Sequence, residues 1–245
     1  MNMIRALRAL GPIDLRSVRR DALLRWIGLY PLLIALMSRW GVPALAAQLA
    51  DQYELDLIPY YGLLMSFMLE LMPLLSGMVV GFLLLDQRDD QTLTALQVTP
   101  LTLNGYLVYR ISAPILLSVL TTLMVFPIMG LVAISPIALV WLALGAAPLA
   151  PIYALFLASF AENKVQGFAL VKAAGVVMIP PAVAYFIHSN WQLAFGLIPT
   201  YWPAKAFWSL QAGDANYWLY LLAGLVYQSV LLALLLRRFN QVMRR

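Results

Sequence analysis

Six long apolar runs, separated by shorter polar stretches, dominate the chain. A helix needs about 20 apolar residues to cross about 30 Å of hydrocarbon. The runs lack the alternation of apolar and polar positions that barrel strands show, so helices are predicted. The predicted spans cover residues 24–42, 57–85, 105–133, 137–160, 167–188 and 217–236. The pattern therefore predicts an all-α, polytopic membrane protein with six transmembrane helices.

Three polar or mixed segments flank these spans. Residues 1–23 mix arginines with Ile4, Leu7 and other apolar residues, which predicts an amphipathic elbow in the membrane interface, broken at Gly11-Pro12. A plain basic flank that only orients the first span is an equally compatible interpretation. Residues 86–104 form a charged connection between the second and third spans. Residues 189–216 are rich in Trp and Tyr and are predicted to lie at the outer interface, or to dip back into it, in short helical pieces broken at Pro199, Pro203 and Gly213. No linker separates domains, so residues 1–245 are predicted to form one transmembrane domain.

The basic residues predict the orientation of the spans. Of the 16 Lys and Arg residues, 14 fall on one side if the N-terminus is inside, and only Arg39 and Lys205 fall on the other. Lys and Arg accumulate on the cytoplasmic side of membrane proteins. Both termini and residues 86–104 are therefore predicted to be cytoplasmic, in a cell inner (plasma) membrane. The loop that carries Asp51, Glu54 and Asp56 is predicted to face out.

The composition and motifs of the chain argue against several classes of function. The chain is 63% hydrophobic and 11% charged, and its net charge of +5 comes from residues at the ends of apolar spans, which indicates contact with membrane lipid and not with nucleic acid. There is no cysteine for thiolate chemistry. No GxxxxGK[ST] phosphate loop is present. We therefore expect no cofactor and no catalytic activity on this chain, and any ATP and Mg²⁺ must be bound by another chain.

Two features remain as candidates for other chemistry. His188 is the only histidine and lies near an outer membrane edge, where it is interpreted as an ordinary interfacial residue. Asp86, Asp89 and Asp90 could hold Mg²⁺ in an intramembrane transferase, but such enzymes use two acidic motifs and no second one is found. Acidic groups also favour the N-terminus of a helix, and this interpretation is preferred for the three aspartates.

The connection between the second and third spans is predicted to contain a short helix. Asp90 can cap a helix over residues 91–97, which places Leu93 and Leu96 on one side. Pro100 disfavours helical geometry at Thr99 and ends it. The next span begins at once, and Arg110 is expected to snorkel to the interface. A rigid piece with one apolar side suits docking to another protein, although a plain structured loop is equally compatible.

The segment "LLLDQRDDQTLTALQVTPLTLNGYLVYR" resembles the connection between the second and third spans of type-2 ATP-binding-cassette (ABC) exporter permeases. Three further segments are similar to that family in order: "DLRSVRRDALLRW" to its elbow, "FAENKVQGFALVK" to its inner loop after the fourth span, and "LIPTYWPAKAFW" to its outer segment before the last span. The resemblance covers nearly the whole chain. It extends to the small bacterial drug-export permeases that include fluoroquinolone exporters.

The resemblance implies a dimer of two permease subunits, identical or different, driven by cytoplasmic ABC ATPase subunits that push on the connection between the second and third spans. The substrate would be hydrophobic or amphipathic, drug-like or lipid-like. Many relatives have Glu where this chain has Gln87, and Gly where it has Gln91. The residues that would form or frame the ATPase contact are Asp86, Arg88, Asp89, Asp90, Thr92, Leu93, Leu96, Val98, Thr99 and Pro100.

Glu70 is the one acidic residue within a predicted span. A carboxylate at that depth costs several kcal/mol unless it is paired, hydrated or protonated. It could lie on the translocation pathway or be a hydrogen-bonded packing residue, and the sequence leaves both open. An ion-coupled secondary transporter is an alternative function, but it would predict more buried ionisable groups and internal repeats. An Mg-dependent transferase that uses Asp86, Asp89 and Asp90 is a more distant alternative.

Overall fold

A computed structural model describes residues 3–89 and 103–243 of the chain. These residues form an all-helical bundle, as predicted. The helices are α1 (Met3–Arg20), α2 (Ala22–Tyr53), α3 (Tyr61–Asp89), α4 (Leu103–Met129), α5 (Pro136–Ala146), α6 (Leu149–Phe160), α7 (Lys164–Gly175), α8 (Ile179–Tyr185), α9 (Tyr201–Gln211) and α10 (Tyr217–Met243). Short 3₁₀ turns cover Ile58–Tyr60, Val176–Met178 and Asn190–Leu197.

Six apolar segments of the described chain are long enough to cross a membrane, which confirms the predicted number of spans. Helices α2, α3, α4 and α10 each account for one span. The fourth span consists of α5 and α6, which meet at Pro148, and the fifth consists of α7, a 3₁₀ turn and α8. A proline lacks the amide proton that a continuous helix would use, which is why the fourth span divides there.

Helix α3 lies at the centre of the bundle. Its apolar window is 89% buried, whereas the windows of α2 and α10 are only 11% and 17% buried and lie at the periphery of the bundle. Helix α3 packs most extensively on α6 and α4. Lipid tails are as apolar as leucine, so these contacts stabilise the bundle through close packing more than through the removal of water.

We call the two ends of the bundle the basic end and the opposite end. The basic end carries α1, the end of α3, the start of α4 and the connection between α6 and α7. The opposite end carries the connection between α2 and α3, the residues after α4, and the segment from the end of α8 to the start of α10. Within that last segment α9 is packed against α3 and α10, with Tyr201, Ala204 and Phe207 fully buried.

Three local predictions were wrong, two because a helix tolerates a proline that was expected to break it and one because a helix is longer than predicted. Helix α1 runs through Gly11-Pro12, since an internal proline removes one helical hydrogen bond without ending the helix. Pro203 is the third residue of α9, within the first turn, where its missing amide proton has no helical acceptor. Helix α2 continues to Tyr53, so Asp51 lies in the helix and not in a loop.

Candidate functional site

The predicted docking segment is only partly described. Helix α3 ends at Asp89 and α4 begins at Leu103. The predictions for Asp90, Thr92, Leu93, Leu96, Val98, Thr99 and Pro100, and for a helix over residues 91–97, fall outside the described residues. The side chains that hold both ends of this segment are described, and they form two polar networks at the basic end.

The first network attaches α1 to the start of α4. The Arg110 guanidinium donates from Nη1 to Asp14 Oδ2 at 2.7 Å and from Nη2 to Asp14 Oδ1 at 3.2 Å. The Tyr109 hydroxyl donates to the same Asp14 Oδ2 at 2.7 Å. Arg110 is 1% exposed. The expectation that Arg110 snorkels to the interface is therefore wrong, because a carboxylate on α1 neutralises it inside the bundle.

Gln87 extends this network to the end of α3. Its amide Nε2 lies 3.5 Å from Asp14 Oδ1, and its Oε1 accepts a hydrogen bond from the Tyr106 hydroxyl at 3.0 Å. An amide can donate to the carboxylate while it accepts from the phenol, and a glutamate cannot do both when ionised. Gln87, the departure from the family pattern, therefore fits its surroundings here.

The second network attaches the end of α3 to the starts of α2 and α7. Lys164 Nζ lies 2.8 Å from Asp21 Oδ2 and 2.9 Å from Asp86 Oδ1. Asp21 also caps α2, since its Oδ1 accepts from the backbone amides of Leu23 and Leu24. The hydrogen bond from Lys164 is the main reason why the pKa of the Asp21 carboxyl is lowered.

Arg88 contacts the end of α6. Its Nη2 donates to the Ala161 carbonyl at 2.6 Å and its Nη1 lies 3.4 Å from the Ala158 carbonyl. The last carbonyls of a helix have no helical donor, and a cation satisfies them and the negative end of the helix dipole. In this arrangement the Arg88 guanidinium is bound by carbonyl groups of the chain itself.

We call the two networks together the basal anchor. Its residues are Asp14, Asp21, Asp86, Gln87, Arg88, Tyr106, Tyr109, Arg110 and Lys164. The anchor fixes the residues just before and just after segment 90–102 to α1, α2, α6 and α7. A force applied to that segment is therefore passed to four further helices.

The sequence analysis missed Asp14, Asp21 and Lys164. Asp14 and Asp21 are the two acidic residues among the arginines that precede the first span, and this contrast was the available signal. The sequence gives no means of choosing Arg110 as the partner of Asp14 or Lys164 as the partner of Asp21.

Comparison with known proteins identifies the family. The model of the Rv2686c-like family, described as fluoroquinolones export permease protein Rv2686c-like, matches residues 14–236. Two proteins named fluoroquinolones export permease protein, Rv2686c and MT2760, from Mycobacterium tuberculosis strains ATCC 25618 / H37Rv and CDC 1551 / Oshkosh, are each 37% identical over 247 residues. The alignments cover 96% of this chain and 94% of each relative.

The chain belongs to this permease family. The resemblance drawn from the four sequence segments is thereby confirmed, including its placement among drug-export permeases. The chain is thus a multi-pass membrane protein of the permease class. No solved structure matches the chain.

Glu70 lies deep within this permease, on α3. It is 1% exposed, and its Oε2 atom is buried with no hydrogen-bond partner among residues 3–89 and 103–243. Two cavities open at the opposite end of the bundle, and Glu70 lines neither of them. A role of Glu70 in translocation stays a prediction. That role would require the helices around α3 to separate, because the side chain is otherwise inaccessible.

Acidic clusters in the described part of the permease give no support to metal chemistry. No group of three His, Asp or Glu residues that could hold a metal ion occurs there. Asp86 is paired with Lys164. The Asp89 and Asp90 side chains fall outside the described residues, so the magnesium alternative stays untested.

Proposed function

We propose that this chain is the membrane-spanning subunit of an ATP-driven ABC exporter. Two such subunits, identical or different, would pair in the cell inner membrane with both termini cytoplasmic. A separate cytoplasmic ABC ATPase would bind ATP and Mg²⁺ and supply the energy, so the chain itself would be no enzyme. The family and the names of its relatives support export of drug-like amphipathic molecules, with fluoroquinolones as the first candidates.

The basal anchor is the observation that supports this proposal best. An ATPase that closes on ATP must move membrane helices through a small contact. Segment 90–102 is joined at both ends to residues that bind α1, α2, α6 and α7, so a push on it reaches most of the bundle. The 14 basic residues expected on the inner side support the placement of this end in the cytoplasm.

Docking is tested by a charge on the predicted apolar side of the segment. Leu93→Asp and Leu96→Asp should leave membrane insertion intact, reduce binding of the partner ATPase, which is to be sought first in the adjacent reading frame, and uncouple ATP turnover from export. Co-purification from detergent and ATP-dependent drug uptake into inverted vesicles measure the two effects. Normal ATPase binding together with undiminished export by both variants would refute the docking proposal.

One observation keeps an ion-coupled transporter as a second candidate. Glu70 is a buried carboxyl with an unpartnered oxygen, and intramembrane acids of this kind serve as proton or cation relays. Transport driven by an imposed pH gradient in the absence of ATP, and lost in Glu70→Gln, would favour it. If Glu70→Gln exports every tested substrate normally, Glu70 is a packing residue.

A further inference from the structure

A cavity opens at the opposite end of the bundle, away from the basal anchor. Its volume is about 550 Å³, and it lies between the start of α3, the end of α8, α9 and the start of α10. A neighbouring cavity of about 430 Å³ shares Tyr185 and Trp208 with it. The residues of the larger cavity that matter here are Tyr60, Tyr185, Lys205, Trp208, Asp214 and Tyr220. The wall is thus aromatic, with one cation and one carboxylate.

The two charges in this wall make no direct ion pair. Lys205 and Asp214 act on each other through space, but no ion pair within 4.0 Å joins them in the described part of the chain. Lys205 Nζ instead contacts Gln192 Oε1 at 2.5 Å and lies 5.5 Å from the centre of the Tyr220 ring. The amide oxygen and the ring face hold the ammonium at the cavity wall, where burial lowers the pKa of Lys205.

Asp214 is held as an anion on the same cavity. Its Oδ1 accepts from the Asn216 backbone amide and its Oδ2 from the Ser209 hydroxyl, both at 2.9 Å. The hydrogen bond from Asn216 is the main reason why the pKa of Asp214 is lowered. These donors are neutral and Lys205 acts only through space, so the carboxylate keeps acceptor positions for a further partner.

The aromatic wall contains a close pair of rings. The rings of Tyr185 and Trp208 meet edge to face, with centroids 5.2 Å apart and planes at 71°. Both residues line the cavity, so an aromatic ligand can pack against this pair.

We propose that this cavity binds flat aromatic zwitterions. The ligand carboxylate pairs with Lys205, its ammonium group lies near Asp214, and its ring packs on Tyr185 and Trp208. The proposal rests on the proposed drug-export function and names the binding site for that cargo. Fluoroquinolones that carry both a carboxylate and a basic amine have this chemistry.

The test compares one zwitterion with two singly charged analogues. Norfloxacin, its decarboxylated analogue and its N-acetylated analogue are titrated by equilibrium dialysis against the full-length chain in lipid nanodiscs. The wild-type protein should bind norfloxacin about tenfold or more tightly than either analogue, which is the scale of one charge-assisted hydrogen bond.

Two variants should each remove one part of this preference. Lys205→Met should bind norfloxacin and the decarboxylated analogue equally and still discriminate against the N-acetylated analogue. Asp214→Asn should show the reverse pattern. Asp51→Asn is the matched control, because it removes an exposed carboxylate at the same end of the bundle outside the cavity, and it should retain both preferences.

Two results would overturn the proposal. One is a wild-type protein that binds none of the three ligands or binds them equally. The other is an equal loss of all three affinities in Lys205→Met and Asp214→Asn, which would assign the two residues a structural role. A merely structural effect cannot produce opposite selectivity changes in the two variants.

The cavity proposal and the exporter proposal can fail separately. ATP-dependent norfloxacin uptake into inverted vesicles is measured with the proposed partner ATPase. If uptake is absent while the binding pattern holds, the exporter proposal fails and the cavity proposal stands. If uptake occurs in the wild type and the binding pattern is missing, the cavity proposal alone fails.

Discussion

Arg110 is the largest side chain that the described part of the chain buries almost completely, and it depends on one carboxylate. Asp14 accepts two hydrogen bonds from it and one from Tyr109. The Arg110 guanidinium also lies 5.2 and 5.3 Å from the ring centres of Tyr106 and Tyr109. Burying a charge is tolerated only when such contacts replace the lost hydration.

Removing one partner of the Asp14–Arg110 pair should cost more stability than removing both partners. Arg110→Met leaves the Asp14 carboxylate unpaired, and Asp14→Leu leaves a buried guanidinium unpaired, so each should destabilise the protein by about 3–5 kcal/mol. The double variant removes both charges and should recover most of that loss. Thermal unfolding in detergent measures all three variants, with the exposed Arg237→Met as a control for loss of a cation at the same end. Additive losses in the double variant would contradict the pairing.

Gln87→Glu tests the other link to Asp14. The new carboxylate would lie beside Asp14 Oδ1, where the Gln87 amide now sits at 3.5 Å, and it could no longer donate. A loss of about 1 kcal/mol is expected at neutral pH, recovered in part below about pH 4 as the added carboxyl protonates. Gln241→Glu adds the same charge at an exposed position and should change the unfolding midpoint little. Equal midpoints for the two variants would remove Gln87 from the anchor.

At the scale of single residues, the sequence showed which side chains were unusual but not which side chains they contact. Arg110 and Gln87 were singled out, the first as a snorkelling cation and the second as a departure from the family. Asp14 lies 96 residues from Arg110, and a contact over that separation leaves no periodic pattern in the chain. The snorkelling interpretation failed because it considered Arg110 against lipid alone and not against α1.

At the scale of elements, two glycines set how closely α3 and α6 approach. A Cβ added at Gly77 would overlap the Ala150 carbonyl oxygen and lie 2.7 Å from Tyr153 Cβ. A Cβ at Gly81 would lie 2.9 Å from Leu157 Cδ1 and 3.3 Å from Ala154 Cα. Small residues four apart let membrane helices pack backbone to backbone. This contact places α3 at the centre of the bundle.

Gly77→Ala should therefore be destabilising, by about 1–3 kcal/mol, because the backbone of α6 has to move away. Gly28→Ala is the matched control, since nothing lies within 4 Å of a Cβ at that helical position. The control should be neutral or up to about 1 kcal/mol more stable, because alanine favours a helix over glycine. Unfolding midpoints in detergent compare the two. A Gly77→Ala protein as stable as Gly28→Ala would show that α3 and α6 pack less closely than described.

Asp21 joins two elements, and its ionisation should appear in the pH dependence of stability. Its pKa is lower in the folded protein than the value of about 3.9 in an unfolded chain. Its stabilising effect is therefore complete above about pH 4 and is lost as the pH falls through the folded pKa. The unfolding midpoint of wild type should fall more steeply below about pH 4 than that of Asp21→Asn. The exposed Asp51→Asn should keep the wild-type slope, and identical slopes for all three would contradict the role of Asp21.

The elements themselves were predictable because the bilayer restricts the options. Length and hydropathy predicted six spans, since only helices satisfy the backbone in lipid. The ends were less predictable: α2 has 32 residues, about 48 Å, and continues well past residue 42, through Pro43. The burial of α9 could not be decided either, because its Trp and Tyr residues suit an interface as well as a packed element.

At the scale of the whole molecule, the anchor and the cavity lie at opposite ends of the same central helix. The end of α3 carries Asp86, Gln87 and Arg88, and the cavity lies beside its start. Helix α3 is rigidly packed on α6, so a displacement at one end is expected to reach the other. The two proposed sites can therefore be coupled through one helix.

The polar character of the anchor should matter for this coupling more than for stability. Buried ion pairs can fix one arrangement of helices where an apolar replacement allows several, which is a hypothesis for this protein. The double variant with Arg110→Met and Asp14→Leu should fold, bind the proposed ATPase and hydrolyse ATP, yet transport less norfloxacin per ATP than wild type. Leu93→Asp should differ by losing ATPase binding itself. Norfloxacin transported per ATP hydrolysed is measured for both variants in the same inverted vesicles. If the double variant keeps the wild-type value, the anchor only holds the helices together.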